Sequence, residues 1–181
     1  SWDNTAAIWN SFGKKLQVLK GHTDKLYYAA FSPAGDYLVT TSEDLSLRFW
    51  NTDGYCYAVA IGHSGRIFSL DISPDGKFVL TASADGTARI WDNAGKLKAT
   101  LRNHKASVKS AVFSNHGNKI LTCSSDNTAR LWDIDGNETA LLQGHNSGIY
   151  IGRFSPDDRF VATASDDGTA GIWNISDTGH V

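Results

Sequence analysis

The feature that most constrains this chain is a beat of 41 residues. Trp9, Trp50, Trp91, Trp132 and Trp173 fall on it, as do His22, His63, His104 and His145. Asp3, Asp44, Asp85, Asp126 and Asp167 keep the same step, and so do Ser32, Ser73, Ser114 and Ser155. Gly13, Gly54, Gly95 and Gly136 mark a second phase, and no insertion breaks the count. Several residue classes held in one register decide the fold. Each repeat is one supersecondary unit that buries its apolar face against a neighbour.

The unit is most regular from Gly62 to Asp92. Segments Ile67–Ile72, Phe78–Ala82 and Thr87–Trp91 alternate or are β-branched, as a pleated sheet asks. Ser73-Pro74-Asp75-Gly76 and Ala84-Asp85-Gly86 between them read as tight turns, with Pro74 at a second turn position and Gly76 and Gly86 at positive φ. Leu97–Leu101 follows as a fourth, outer strand. The same reading predicts strands at Leu26–Phe31, Tyr37–Thr41, Ser46–Trp50 and near Tyr55–Ala60. It predicts them again at Val108–Phe113, Lys119–Cys123, Thr128–Trp132 and Glu138–Leu142, and at Ile149–Phe154, Phe160–Ala164 and Thr169–Trp173. A period near 40–45 that starts on Gly-His and ends on Trp-Asp marks a four-stranded propeller blade. The expected fold is all-β, with blades of four antiparallel strands in an incomplete ring of about four to five blades. One partial propeller then spans 1–181: two strands in 1–20, full blades in 21–61, 62–102 and 103–143, three strands in 144–174, and a tail at 175–181.

On these residues the chain resembles the WD-repeat β-propellers over Ser1 to Asn174. The resemblance implies a buried hydrogen-bonded tetrad in each blade: His22, Thr40, Asp44, Trp50; His63, Thr81, Asp85, Trp91; His104, Thr122, Asp126, Trp132; His145, Thr163, Asp167, Trp173. Asp3 and Trp9 are the remnant of a fifth. The chemistry is intelligible on its own terms. An indole N–H only donates, a carboxylate only accepts, and a hydroxyl and a neutral imidazole do both. In series they satisfy one another where water does not reach, and each buried bond left open would cost about 1–3 kcal/mol. Thr, His and Asp together also invite reading as a catalytic triad, but four copies in identical register argue for a structural role.

Chemistry outside the register is sparse. His116, Cys56, Cys123 and His180 are the out-of-register candidates for a propeller enzyme. His116 falls in a turn on the opposite rim and reads as solvated, and Cys123 reads as a small core residue. There is no Cys-x-x-Cys, no histidine pair at metal spacing and no phosphate-cradling glycine loop, so no catalytic residue, cofactor or metal is expected. A formal net charge of −2 offers no basic footprint for nucleic acid. No apolar run is long enough for a bilayer, and no leader is evident, so no membrane partner is expected either. Cys56 and Cys123 lie at different phases of different blades; free thiols point to a reducing, cytoplasmic setting in which the sequons at Asn137 and Asn174 are idle.

A few positions depart from the pattern. Leu45 stands where other repeats have Gly or Asn, and a reshaped turn is expected there, since a side chain at positive φ costs about 1–2 kcal/mol. Asn103 replaces Gly before His104, Asn115 replaces the turn proline, and Asp158 replaces the turn glycine. Ala7 and Gly171 replace the arginine of Arg48, Arg89 and Arg130. The start within a blade and the lack of methionine suggest a piece of a longer propeller or an engineered chain. The strand after Trp173 is expected to come from the remainder of a longer propeller or from a second copy. In the latter case the outer strand Gly13–Lys20 of one copy completes the last blade of the other, making a ring of about eight blades. Closure of this chain alone as a small ring is a third possibility.

The resemblance also implies a partner surface. In the family, the rim that carries the Gly-His and Asp turns meets proteins through residues three and five after the repeat histidine and through the residue before the tetrad aspartate. Here the first column is Lys25, Arg66, Ser107 and Gly148. The second is Tyr27, Phe68, Lys109 and Tyr150, and the third is Trp2, Glu43, Ala84, Ser125 and Asp166. These columns vary between repeats while the scaffold columns do not, and they are rich in aromatics and Arg, the usual interface anchors. The bland alternative is that Tyr27, Phe68 and Tyr150 merely line the channel and touch each other. The expected function is a non-catalytic scaffold or sensor module, of signalling type, that binds a protein or peptide. The alternative is a fragment that self-associates with no ligand.

Overall fold

The computed structural model describes residues 1–176. It is all-β, and its strands group into five antiparallel sheets. The first pairs β1 (Thr5–Trp9) with β2 (Lys15–Lys20). Three sheets of four strands follow: β3 (Leu26–Phe31) to β6 (Cys56–Ile61) through β4 (Tyr37–Ser42) and β5 (Ser46–Asn51); β7 (Ile67–Ile72) to β10 (Leu97–Leu101) through β8 (Phe78–Ser83) and β9 (Ala88–Asp92); and β11 (Val108–Phe113) to β14 (Glu138–Gln143) through β12 (Lys119–Ser124) and β13 (Thr128–Asp133). The last sheet holds β15 (Ile149–Phe154), β16 (Phe160–Ser165) and β17 (Ala170–Asn174). Each sheet is a meander in sequence order, so each tight turn joins neighbours.

The core lies between sheets rather than within one. Val39, Leu47 and Phe49 of the second sheet pack on Ile67, Val79 and Trp91 of the third. Leu80, Ile90 and Leu101 of the third meet Val108, Ile120 and Trp132 of the fourth. Leu121, Leu131 and Leu142 of the fourth meet Ile149 and Val161 of the last. Each repeat presents one apolar face forward and one backward, as stacked blades require. The ring is not closed: Ile172 of β17 is 80% exposed, whereas its counterparts Phe49, Ile90 and Leu131 are fully buried.

One expectation is overturned. The turn at Leu45 is not reshaped: Leu45 takes φ 66°, in the same region as Gly86 at 81° and Asn127 at 69°. Its N–H still donates to the Ser42 carbonyl at 3.2 Å, as Gly86 donates to Ser83 at 3.3 Å. The bonds that close the Asp44 turn hold the leucine in the left-handed region despite its side chain. Position His180 and the rest of the tail beyond 176 lie outside the described residues.

Candidate functional site

The tetrads form in all four repeats. In the third sheet, Trp91 Nε1–H donates to Thr81 Oγ1 at 3.0 Å, Thr81 Oγ1 lies 2.9 Å from His63 Nε2, and His63 Nδ1 lies 2.8 Å from Asp85 Oδ2. A carboxylate only accepts, so Nδ1 carries the imidazole proton. Nε2 then accepts from the Thr81 hydroxyl, which in turn accepts from the indole. Every proton in this chain has a place only if the imidazole is neutral. Burial agrees: it pushes His22, His63 and His104 below their ordinary pKa, against the pull of Asp44, Asp85 and Asp126. Burial works against the Asp85 carboxylate, but the Thr87 hydroxyl, His63 and the Ser64 backbone N–H hold it down at about 2.

A further hydroxyl belongs to each set. Ser46, Thr87, Thr128 and Thr169 donate to the tetrad aspartates at 2.6–2.7 Å. Thr5 does the same to Asp3 at 2.7 Å, so the Asp turn forms even in the first sheet, which has no tetrad histidine. The arrangement leaves no nucleophile with a free base beside it. It ties a turn to two strands.

The rim columns have a physical origin. In every inner strand the pairing slips by one residue: Leu26 opposes Ser42 and Tyr28 opposes Thr41, leaving Tyr27 without an opposite number. The same slip singles out Phe68, Lys109 and Tyr150. These β-bulges re-aim one side chain per blade, and the side chain they re-aim is the one five residues after the histidine.

Four of the rim candidates gather into a stack. The Arg66 guanidinium lies 3.9 Å from the Tyr27 ring centroid and 5.7 Å from that of Phe68, and Lys109 Nζ lies 4.2 Å from Phe68. Glu43 flanks the stack. Its Oε2 is 3.8 Å from Arg66 Nε, and the nearness of its carboxylate raises the pKa of the Tyr27 phenol. Lys25 lies 5.0 Å over Trp2, which is 77% exposed. Tyr150 shares a concave surface with Phe68 and Lys109. Asp166 stands apart on the last Asp turn, exposed, its backbone N–H donating to the Gly148 carbonyl at 2.9 Å.

The WD domain, G-beta repeat model matches residues 13–51, 54–92, 95–133 and 136–174. The chain belongs to this family. Each match runs from an outer strand through the next three strands, so the repeat of the sequence is offset from the sheet of the structure. Among similar proteins are WD repeat-containing protein srw1 of Schizosaccharomyces pombe, 45% identical over 48 residues, and nuclear distribution protein nudF of Aspergillus flavus, 44% over 48 residues. Nuclear distribution protein PAC1 of Yarrowia lipolytica is 40% identical over 50 residues. Each match covers 26% of this chain and only 9–11% of the relative's own length. Repeats of this family generally serve as non-catalytic scaffolds for protein contacts.

Within the WD repeats, the departures noted in the sequence answer one another. The Arg48 and Arg89 guanidinium groups lie over Gly21 and Gly62, where a Cβ would collide with them. In the fourth sheet Asn103 takes the glycine's place, and Arg130 Nη1 turns to Glu138 Oε2 at 2.6 Å, which Asn103 Nδ2 also reaches at 2.6 Å. Asp158, at φ 54°, accepts from the backbone N–H groups of Asn115 and His116, both at 2.9 Å. Asn115 Nδ2 donates to it at 2.8 Å, and His116 Nδ1 lies 2.6 Å away. The lost turn proline and the lost turn glycine are thus two halves of one joint between neighbouring sheets. His116 is exposed, as its turn suggested, but it is spoken for. Cys123 is fully buried, and burial pushes its thiol up to about 12. Cys56 is likewise a free thiol, half-buried.

Sequence reasoning passed over Tyr28, Ile151 and Arg153, which line the same concavity as Phe68, Lys109 and Tyr150. The signal was available. Six residues after the histidine the column reads Tyr28, Ser69, Ser110, Ile151, and eight after it Ala30, Asp71, Val112, Arg153. Both vary as freely as the rim columns. Among the described residues no metal-binding cluster is found, and no helix is long and apolar enough to cross a membrane.

Proposed function

We propose that this chain is a non-catalytic propeller segment that binds a protein or peptide through the rim bearing its Gly-His and Asp turns. The observation that carries the reading is the bulge repeated in each inner strand. It spends pairing in the sheet to turn Tyr27, Phe68, Lys109 and Tyr150 outward, and these are the side chains that differ from blade to blade. Arg66 and Glu43 extend that surface over the neighbouring blade, while Trp2, Lys25 and Asp166 mark its ends. A cytoplasmic setting and a role in signalling go with this reading, as do domain limits at the blade boundaries. The test is capture from the source cell by the wild-type chain and by a triple variant, Arg66→Ala, Phe68→Ala and Tyr150→Ala. Loss of the captured protein with an unchanged far-UV spectrum is expected; equal capture refutes the assignment.

A second reading concerns closure, and Ile172 favours it. An apolar side chain 80% exposed at a position buried in the preceding three sheets calls for a covering sheet. We propose that the remaining blades of a longer propeller, or β2 of a second copy, supply it. The absolute mass in solution separates the two. A dimer supports the second copy, and a monomer leaves the longer chain.

A further inference from the structure

The concave surface inside the arc of inner strands has a chemistry of its own. Its volume is about 550 Å³, and all four inner strands from β3 to β15 line it. Aromatic and apolar walls come from Tyr28, Phe68, Tyr150 and Ile151. The charged groups lining it are Lys109 and Arg153, and among the described residues no carboxylate lines it. The neighbouring carboxylates lie outside its lining. Glu43 lies against Arg66 and the Tyr27 hydroxyl. Asp71 accepts from the Ile72 N–H at 3.0 Å and the Phe113 N–H at 2.8 Å; it lies in the adjoining hollow that Arg153 also lines, and the Arg153 charge partly offsets the rise that burial gives its pKa. Lys109 Nζ is held over the Phe68 ring, which fixes its position without neutralising it. Arg153 makes one hydrogen bond, to the Gly152 carbonyl at 3.1 Å, and keeps its other donors.

From this charge complementarity we infer that the occupant is an acidic peptide, with a carboxylate side chain seated between Lys109 and Arg153 and an adjacent apolar side chain against Tyr28 and Tyr150. The inference rests on the rim reading and specifies its partner. An anion here replaces the water around two cations in a partly enclosed, aromatic-walled site, where charge-assisted hydrogen bonds are strongest. A basic segment meets like charge, and a neutral apolar one leaves Lys109 without a counter-charge and Arg153 with Asp71 alone.

The test uses three labelled decapeptides: one alternating leucine with aspartate, one with asparagine for aspartate, and one with lysine for aspartate. Binding to the chain is followed by fluorescence anisotropy. The aspartate peptide is expected to bind about tenfold or more tightly than the asparagine peptide, with affinity falling as salt rises. Lys109→Glu is expected to cost about tenfold, while Lys77→Glu, the same charge change on an exposed turn outside the cavity, leaves binding within about twofold. If asparagine and aspartate peptides bind equally, or if both lysine variants lose affinity alike, the acidic-peptide inference is overturned while the rim reading stands. If none of the peptides binds at millimolar concentration the inference also falls, and the rim reading is judged separately by the capture assay.

Discussion

The third sheet and the last sheet carry the same quartet in different surroundings. His63, Thr81, Asp85 and Trp91 are linked at 2.8, 2.9 and 3.0 Å, and His145, Thr163, Asp167 and Trp173 at 3.0, 2.8 and 2.9 Å. Yet His63 and Trp91 are buried, while His145 and Trp173 are half-buried. Two differences account for this. The third sheet has Arg89 lying over its glycine and a further sheet against its forward face; the last has Gly171 and an open face. Quartet geometry is therefore set within a repeat, whereas its isolation from water is supplied by the next one. The network should be worth more where water cannot replace a lost partner.

The largest effect separates the two forward faces. Ile90→Ala is expected to cost about 3 kcal/mol, since it opens a cavity between packed sheets. The same change at Ile172 should stay within about 0.5 kcal/mol. Urea denaturation of both variants measures the difference, and equal losses would break the comparison. Next comes the quartet itself. Thr81→Val leaves the Trp91 indole N–H without an acceptor and His63 Nε2 without a donor, at an expected cost of about 2–3 kcal/mol. Thr163→Val should cost about half as much, because water reaches the half-buried Trp173.

A smaller change has the opposite sign. Leu45 occupies the left-handed region that Gly86 occupies in the third sheet. Leu45→Gly should stabilise the chain by about 1 kcal/mol in the same denaturation assay, whereas Gly86→Leu should destabilise it by a similar amount.

The gentlest effect is with pH. His22, His63 and His104 are held below their ordinary pKa in the fold, so the unfolded chain takes up protons first as acid is added. Stability is full above about pH 6.5 and declines as pH falls through that value toward the lowered folded values. A second decline follows below about pH 4, as the unfolded carboxylates protonate while Asp44, Asp85 and Asp126 still hold out at about 2. A urea midpoint that does not move between pH 8 and pH 5.5 would contradict neutral, buried imidazoles.

Much of this was legible in the primary structure, because a repeat writes the same message several times. The beat of Trp50, Trp91, Trp132 and Trp173 announced the sheets, and the histidine and aspartate columns announced the quartets. Thr87 and its equivalents follow the same beat and could have been read as a further member. What stayed hidden depends on contacts between repeats. Nothing in Asn115 or Asp158 alone says that one replaces a proline so that it can bond the other, 43 residues away. The bulge at Phe68 leaves no mark in composition, so Arg153 and Tyr28 were not connected to the rim. At Leu45 the local rule was sound, but the surrounding turn overrode it.

The most direct measurement is the long-range proton–nitrogen spectrum of the histidine rings at pH 7. His22, His63 and His104 are expected to appear as neutral imidazoles protonated at Nδ1, alongside slowly exchanging indole protons from Trp50, Trp91 and Trp132. Imidazoles averaging between tautomers and titrating freely near pH 6.5, with indole protons exchanging at solvent rates, would contradict that expectation.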